Sequence, residues 1–341
     1  MKAEQTFSLR LLNWWAQHGR HDLPWQLERT PYRVWVSEVM LQQTQVATVT
    51  DYFQRFMQRF PDLATLAAAD IDDVLALWSG LGYYARGRNL HRAAQACMTE
   101  HGGKLPDNPE LLEKLPGIGR STANAIVAQA FNRRAAILDG NVKRVLARHA
   151  GIEGWPGRSS VLKALWATSE RLTPGEQAAD YTQAVMDLGA TVCRARRPLC
   201  QACPLRNDCL AFNKGLIDQL PGRKPRRKNP EKHTTLLLLE DEYQRLLLIR
   251  RPPSGIWGGL WSLPESADLP LPTEVQVKTS HNAVRHDFTH FRLHIHIGRA
   301  RLNASMVHDG VDQGWFSLAQ ALGMGLPQPV RKIIEKLDSD S

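Results

Sequence analysis

Apolar residues recur at helical spacing through the first two thirds of the chain, then change to a strand rhythm. Phe7, Leu11, Trp14 and Trp15 set one apolar helical face. Asp22-Leu23-Pro24-Trp25, with Pro31 close behind, reads as a loop. Val34, Val36, Val39 and Met40 open a second helix, the polar trio Gln42-Gln43-Thr44 interrupts it, and Val46, Val49, Phe53 and Phe56 resume the pattern. Thr44 reads as the N-cap of that resumption. Further helices are predicted over 71–78, 88–100, 109–114, 122–130, 142–150, 161–172 and 181–190. Residues 7–213 show no convincing period-2 alternation, so the first domain is expected to be all-α.

The rhythm breaks at residues 221–230, where three prolines stand among Arg223, Lys224, Arg226, Arg227 and Lys228. Such a stretch cannot form a helix or strand interior, and it reads as a linker. Beyond it, residues 234–240 and 245–250 are apolar and branched around Asp241-Glu242-Tyr243-Gln244, which predicts a β-hairpin. Residues 292–300 alternate, with Leu293, Ile295 and Ile297 on one face and His294 and His296 on the other. Residues 318–322 and 330–337 look helical. The expected organisation is a helical domain over 1–213, a basic linker over 214–232 and an α+β domain over 233–341.

The 341 residues are long enough for two cores, and the net charge of +9 is unevenly placed. Residues 1–213 hold 25 Lys+Arg against 20 Asp+Glu, residues 214–232 hold 7 against 2, and residues 233–341 hold 11 against 12. A basic first domain and linker suit a polyanionic partner. No apolar run approaches the roughly 18 residues of a membrane span, and Met1-Lys2-Ala3-Glu4-Gln5 lacks the apolar core of a signal peptide. A cytoplasmic, nucleoid-associated monomer with no membrane contact is expected. In that compartment five cysteines point to a metal site before disulfides.

Two predicted helices meet at Leu115-Pro116-Gly117-Ile118-Gly119-Arg120-Ser121. Glycine permits a positive φ and lets another backbone come close, and the second helix starts with free N–H groups that could take a phosphate. This is the sequence form of a helix-hairpin-helix DNA clamp, although an ordinary tight turn between helices has the same look. Cys193, Cys200, Cys203 and Cys209 follow, with six, two and five residues between them, among Arg194, Arg196, Arg197 and Arg206. Four thiolates this close could hold zinc or an iron–sulfur cluster; a single Cys-x-x-Cys knuckle leans toward the cluster. Cys97 stands among alanines and reads as core.

This spacing behind a Gly-x-Gly hairpin resembles the endonuclease III superfamily of DNA glycosylases. The resemblance implies two helical subdomains around a cleft, a 4Fe–4S cluster on the four cysteines, and double-stranded DNA as partner. Asp139-Gly140-Asn141 opens a helix carrying Lys143, Arg144 and Arg148, and either Asp139 or Asn141 could simply be a cap. In the superfamily, the aspartate here faces the flipped nucleotide and stabilises the cationic sugar, a task suited to a carboxylate.

Two positions choose the branch. The hairpin ends in Ser121 where endonuclease III carries the lysine that forms a Schiff base, and a hydroxyl cannot form that imine. Glu38 lies in Val36-Ser37-Glu38-Val39-Met40-Leu41-Gln42-Gln43-Thr44-Gln45-Val46. It reads either as a solvated helix glutamate or, flanked by Val36, Val39 and Met40, as a buried acid able to protonate a leaving adenine. Glu38 with Ser121 resembles the adenine-excising branch of that superfamily. That resemblance makes Glu38 the acid, Asp139 the cation stabiliser and Asn141 the residue positioning water or sugar. It also places Gln42, Gln43, Thr44, Tyr83, Arg86, Gly117, Gly119 and Ser121 against DNA. Gln43 and Tyr83 match residues that wedge the duplex open, although Tyr83 could equally pack under its glycine-rich loop. Arg20 and Trp25 fall where family members line the pocket.

In the tail, Trp257-Gly258-Gly259-Leu260-Trp261-Ser262-Leu263-Pro264 resembles the start of a Nudix-like domain. An active Nudix hydrolase would need a run of metal-binding glutamates after Gly259 and Glu265; Val277 and Lys278 stand in their place, so hydrolysis is not expected. Phe288-Thr289-His290 falls where the branch has a Phe-Ser-His loop reading 8-oxoguanine, with threonine keeping the hydroxyl. The expected activity is monofunctional removal of adenine mispaired with 8-oxoguanine or guanine. The rivals are a bifunctional glycosylase/lyase and a mismatch-binding protein without catalysis.

Overall fold

The computed structural model describes residues 3–225, 229–269, 271, 273, 275–280, 283–288, 290–307 and 310–339. The chain packs as two units, Met1–Ala67 with Arg92–Arg226 and Ala68–His91 with Arg227–Ser341. Helices come in the order α1 (Ala3–His18), α2 (Pro24–Leu27), α3 (Pro31–Leu41), α4 (Val46–Arg59), α5 (Leu63–Ala68), α6 (Ile71–Trp78), α7 (Ala85–Glu100) and α8 (Pro109–Leu112). They continue with α9 (Arg120–Phe131), α10 (Gly140–His149), α11 (Ser159–Leu172), α12 (Ala178–Asp187) and α13 (Leu210–Asn213). A single π-helical turn, Leu188–Val192, follows α12 directly.

In the first unit, α1, α10, α11 and α12 surround a core of Phe7, Leu11, Trp15, Val142, Val145, Leu146, Leu165, Leu172, Tyr181 and Val185. The apolar faces read from the sequence are the ones buried. Local chemistry sets the ends that matter for function. Asn132, in the left-handed region at φ 50°, closes α9. Asp139 opens α10 by accepting from Val142 N–H at 2.7 Å, and Arg148 and His149 suit its other end.

The polar trio does break α3 from α4, but the cap lies one residue beyond Thr44. Gln43 takes a left-handed turn at φ 60°, so the carbonyl of Gln45 accepts the first helical bonds, from Thr48 and Val49. Thr44 Oγ1 turns back instead to the Gln42 carbonyl at 3.5 Å.

Beyond residue 228 the second unit carries, among the described residues, a seven-stranded mixed sheet and two α-helices. The strands are β1 (Glu231–Glu240), β2 (Leu246–Arg250), β3 (Trp261–Ser262), β4 (Lys278–Thr279), β5 (Val284–Asp287), β6 (Arg292–Arg301) and β7 (Gln313–Phe316). The helices are α14 (Leu318–Gly323) and α15 (Gln328–Ser339). The predicted hairpin forms from antiparallel β1 and β2. β1 also runs parallel to β6 from Glu231↔Arg292 to Glu240↔Arg301, so the strand starts inside the stretch read as linker. Leu293, Ile295 and Ile297 are buried as the alternation predicts. Within this unit Tyr84 Oη donates to the Leu326 carbonyl at 2.9 Å and Arg88 donates to that of Gly258, which joins residues 68–91 to the sheet.

Candidate active site

Glu38 sits on a helix that is otherwise almost wholly buried: Val34, Trp35, Val36, Ser37, Val39 and Met40 all face the interior. The helix therefore carries the carboxyl into a poorly solvated setting, where charge is costly. Burial pushes the Glu38 carboxyl up to about 7, the charge of Asp139 adds to the rise, and a hydrogen bond from Gln129 opposes it. Gln129 Nε2 donates to Glu38 Oε1 at 3.0 Å. At neutral pH a substantial fraction of Glu38 is a neutral acid, which is what a proton donor to a leaving base requires.

Asp139 is its electrostatic partner. Burial raises the Asp139 carboxyl as well, but the N–H groups of Val142 and Asn141 and the charges of Arg144 and Lys143 all work against that rise. Four groups thus favour the charged form of Asp139 against one for Glu38, and the Asp139 charge adds to the rise at Glu38. The N–H bonds that make Asp139 the cap of α10 are also among those that favour its charged form. Asn141 Oδ1 accepts from Arg144 Nη2 at 2.7 Å, and Arg144 also donates to the carbonyls of Gly189 and Cys193 at 2.6 and 2.7 Å. Gly189 is required by space: a Cβ there would lie 2.6 Å from that of Asn141.

The hairpin joins α8 to α9 through Gly117, in the left-handed region at φ 79°, while Ile118 is buried between the two glycines. Gly119 is the exposed N-cap of α9 and offers no side-chain cap, so the first N–H groups of the helix face outward. Ser121 does not point with them. Its Oγ accepts from the Leu138 N–H at 3.0 Å, one residue before Asp139. Gln42 Nε2 donates to Thr122 Oγ1 at 3.3 Å and so ties the end of α3 to the same turn of α9. Gln43 is exposed and left-handed, and Tyr83, in the other unit, is likewise left-handed (φ 50°) and 45% exposed. Bulky residues held outward in that conformation carry backbone strain of the kind found at functional positions.

Cys193, Cys200, Cys203 and Cys209 line one pocket with Val192, Leu205 and Phe212. Burial holds the thiols of Cys200, Cys203 and Cys209 above their usual range, Cys203 to about 12, and the charge of neighbouring cysteines raises all three further. Arg148 Nη1 reaches Cys193 Sγ at 3.4 Å and the Arg194 carbonyl at 2.7 Å. A soft, four-sulfur donor set with a guanidinium on one sulfur fits an anionic iron–sulfur cluster. Among the described residues no three His, Cys, Asp or Glu are grouped as ligands of a single metal ion. Cys97 is fully buried, as its alanine neighbours predict.

In the tail unit, Tyr83, Arg88, Lys232, Trp257, Phe288 and His290 line a cavity of about 700 Å³. Phe288 stacks on Phe291 with centroids 4.5 Å apart, and His290 meets Phe291 edge-on at 4.7 Å. Thr289 lies outside the described residues. The sequence assigns Tyr83 separately from Phe288 and His290; the three line the same cavity. Arg86 is placed differently from the others. It is buried, its Nη2 donates to the Leu81 and Gly82 carbonyls at 3.2 and 3.1 Å, and its guanidinium lies 5.5 Å from the Tyr83 ring.

Sequence reasoning missed Gln26, Gln129, Gln183 and Asp187, buried polar groups behind Glu38. They sit in three helices with no local spacing to mark them; burial of amides is visible only after folding. Arg20 is ion-paired with Asp187 at 2.6 Å, and Trp25 is buried edge-on to Phe53 at 5.4 Å.

A hairpin opening onto α9, an aspartate heading the next helix and a cysteine loop behind it define a helix-hairpin-helix base-excision protein. The chain matches the HhH-GPD superfamily base excision DNA repair protein over residues 36–171 and a NUDIX domain over residues 234–336. It is 37% identical to an adenine DNA glycosylase of Buchnera aphidicola subsp. Acyrthosiphon pisum over 96% of this chain and 97% of that one. It is 40% identical to the Rattus norvegicus adenine DNA glycosylase over 76% of this chain and 60% of the relative. A thermostable thymine-DNA glycosylase superposes with TM-score 0.56 at 27% identity, covering 62% of this chain and 97% of that one. The chain belongs to the adenine DNA glycosylases. It is a base-excision enzyme built on a helical domain and a Nudix-like domain with a sheet.

Proposed function

We propose that the substrate is adenine paired with 8-oxoguanine or guanine in duplex DNA, and that the product is an abasic site on an uncut strand. The observation that carries this reading is the Glu38 carboxyl, held near 7 by burial and by Asp139. Glu38 donates its proton to N7 of the flipped adenine, and the C1′–N9 bond breaks with its electron pair leaving on the base. Asp139 holds the resulting sugar cation by charge, where a dry, preformed site makes that charge effective. Water then adds to C1′, placed by Asn141, whose amide is oriented by Arg144. Ser121 offers no amine for an imine and its hydroxyl is already engaged with Leu138, which supports release without strand cleavage.

The α9 N-terminus at Gly117 and Gly119 takes a phosphate, with Gln42 and Thr44 bordering that turn. Gln43 and Tyr83 enter the stack, and Arg86 braces Tyr83 from beneath. Phe288 and His290 read the base opposite adenine from the aromatic cavity, with Thr289 as the third residue of the reading motif. Cys193, Cys200, Cys203 and Cys209 hold a 4Fe–4S cluster, which when bound supplies a rigid cross-link fixing the basic loop of Arg194, Arg196 and Arg197. Adenine release and strand cleavage, measured side by side on duplexes with 8-oxoguanine, guanine and thymine opposite adenine, test the reading. Release from the first two without cleavage is expected. Release from the thymine duplex at an equal rate, or a nicked strand, overturns it.

A further inference from the structure

Arginine only donates hydrogen bonds and a salt-bridged aspartate only accepts them, so amides strung between them have a forced polarity. Three buried glutamines behind Glu38 form such a chain. Arg29 Nε donates to Gln26 Oε1 at 2.8 Å, which leaves the Gln26 amino group for its other neighbours. That group donates to Gln129 Oε1 at 2.9 Å and to Gln183 Oε1 at 2.6 Å. Gln183 Nε2 then donates to Asp187 Oδ1 at 2.8 Å, where Arg20 also donates, while Trp15 Nε1 takes the other oxygen at 3.0 Å. The polarity is set once from Arg29 and again from Asp187, and the two agree. A flip of any one amide would bring two donors or two acceptors face to face in a buried site. The branch ends at Gln129, whose carbonyl is already taken, so only its amino group can face Glu38.

We infer that the Gln183–Gln26–Gln129 chain decides which oxygen of Glu38 carries the catalytic proton. Oε1 is held as an acceptor whatever the state of the acid, so the proton rides on Oε2, which has no hydrogen bond to any described residue. The same donor favours the carboxylate left behind once the proton has moved. Gln129 is the positioning residue that touches Glu38, and Gln26 and Gln183 act on Glu38 through it. The inference rests on Glu38 being the acid of adenine release.

The test titrates Glu38 in the full-length protein by infrared difference against Glu38→Gln, in wild type and in Gln129→Met and Gln26→Met. The groups facing Glu38 are Asp139, at the head of α10, and Gln129, on α9. Loss of the Gln129 donor should raise the Glu38 titration by about one pH unit, the size of one hydrogen bond, and move its carbonyl stretch to higher frequency. Adenine release by Gln129→Met should slow about tenfold, with its alkaline limb displaced the same way. Gln26→Met should give a smaller shift in the same direction, because Gln129 is then free to turn. Arg29→Met, at the part-exposed end of the chain, repeats the measurement without opening a core cavity. A Glu38 titration and stretch unmoved in all three variants overturns the inference, whatever their rates. If the titration shifts while wild type releases no adenine, the positioning stands and the assigned reaction falls.

Discussion

The Ser121 hydroxyl accepts from the Leu138 N–H at 3.0 Å, so the last residue of the hairpin holds the backbone that delivers Asp139. The hairpin turn and the residue preceding the Asp139 carboxylate are therefore joined by one hydrogen bond. Ser121→Ala should leave that N–H unsatisfied among buried neighbours, costing about 1–3 kcal/mol of stability. Adenine release should slow about tenfold for a misplaced Asp139, while duplex affinity changes little. Thermal melting and single-turnover release check both; lost affinity at an unchanged rate would make Ser121 a DNA contact only.

The pH dependence of release follows from Glu38. The acid is competent when protonated, so the rate constant should fall as pH rises through about 7 in the free enzyme. Glu38→Gln cannot donate that proton and should lose release by about 10²–10⁴-fold while keeping its affinity for lesion duplex. Undiminished release by that variant contradicts the assignment.

The same residue predicts that stability also falls as pH rises. Folding raises the Glu38 carboxyl from its ordinary 4.5 to about 7, so between those values the folded state binds more protons than the unfolded. Stability attributable to this group therefore falls as pH rises through that window and stays low above it. Glu38→Gln should be more stable than wild type at pH 8, by about 1–3 kcal/mol, and no more stable at pH 4. Denaturant titrations at the two pH values decide it.

Arg144 spans Asn141, Gly189 and Cys193, so it couples the cysteine loop to the site. Arg144→Met should retain four irons per chain, because no thiol is touched, yet release adenine about tenfold more slowly. Cys203→Ser should lose iron and activity together. Metal analysis beside single-turnover kinetics separates the two; normal kinetics in Arg144→Met would remove the coupling.

Tyr83 is the clearest case of strain serving exposure. Tyr83→Gly relieves a left-handed backbone and should not destabilise the protein, with a gain of up to about 1 kcal/mol. It should nevertheless weaken the preference for 8-oxoguanine over guanine opposite adenine, since Tyr83 lines the cavity of Phe288 and His290. An unchanged preference would return Tyr83 to a packing role.

Helix positions were legible because Phe7, Leu11 and Trp15, or Val49, Phe53 and Phe56, bury one continuous stripe. Asp139 was legible as a cap, since a carboxylate at a helix start accepts from the free N–H groups there. The cap at Gln45 was not, because it depends on the left-handed turn at Gln43, which nothing in a polar trio dictates. The parallel pairing of β1 with β6 was hidden too, as the partners lie about sixty residues apart and leave no periodic mark. Arg86 shows the same limit in a charged residue: its sequence context offers a cation to DNA, and burial turns it to the Leu81 and Gly82 carbonyls.

The Glu38 carboxyl draws its character from Gln129, Asp139 and, through the amide chain, positions as far apart as Arg29 and Asp187. None of these is a sequence neighbour, so a nascent or partly unfolded chain carries an ordinary glutamate with an ordinary acidity. Non-local contacts of this kind form late in folding. With Glu38 as the proposed acid, a chain gripping DNA through α9 alone would be chemically silent, and base removal would require the whole first unit to have closed. For an enzyme whose product is a hole in the genetic message, that is a safeguard against injury by its own misfolded copies.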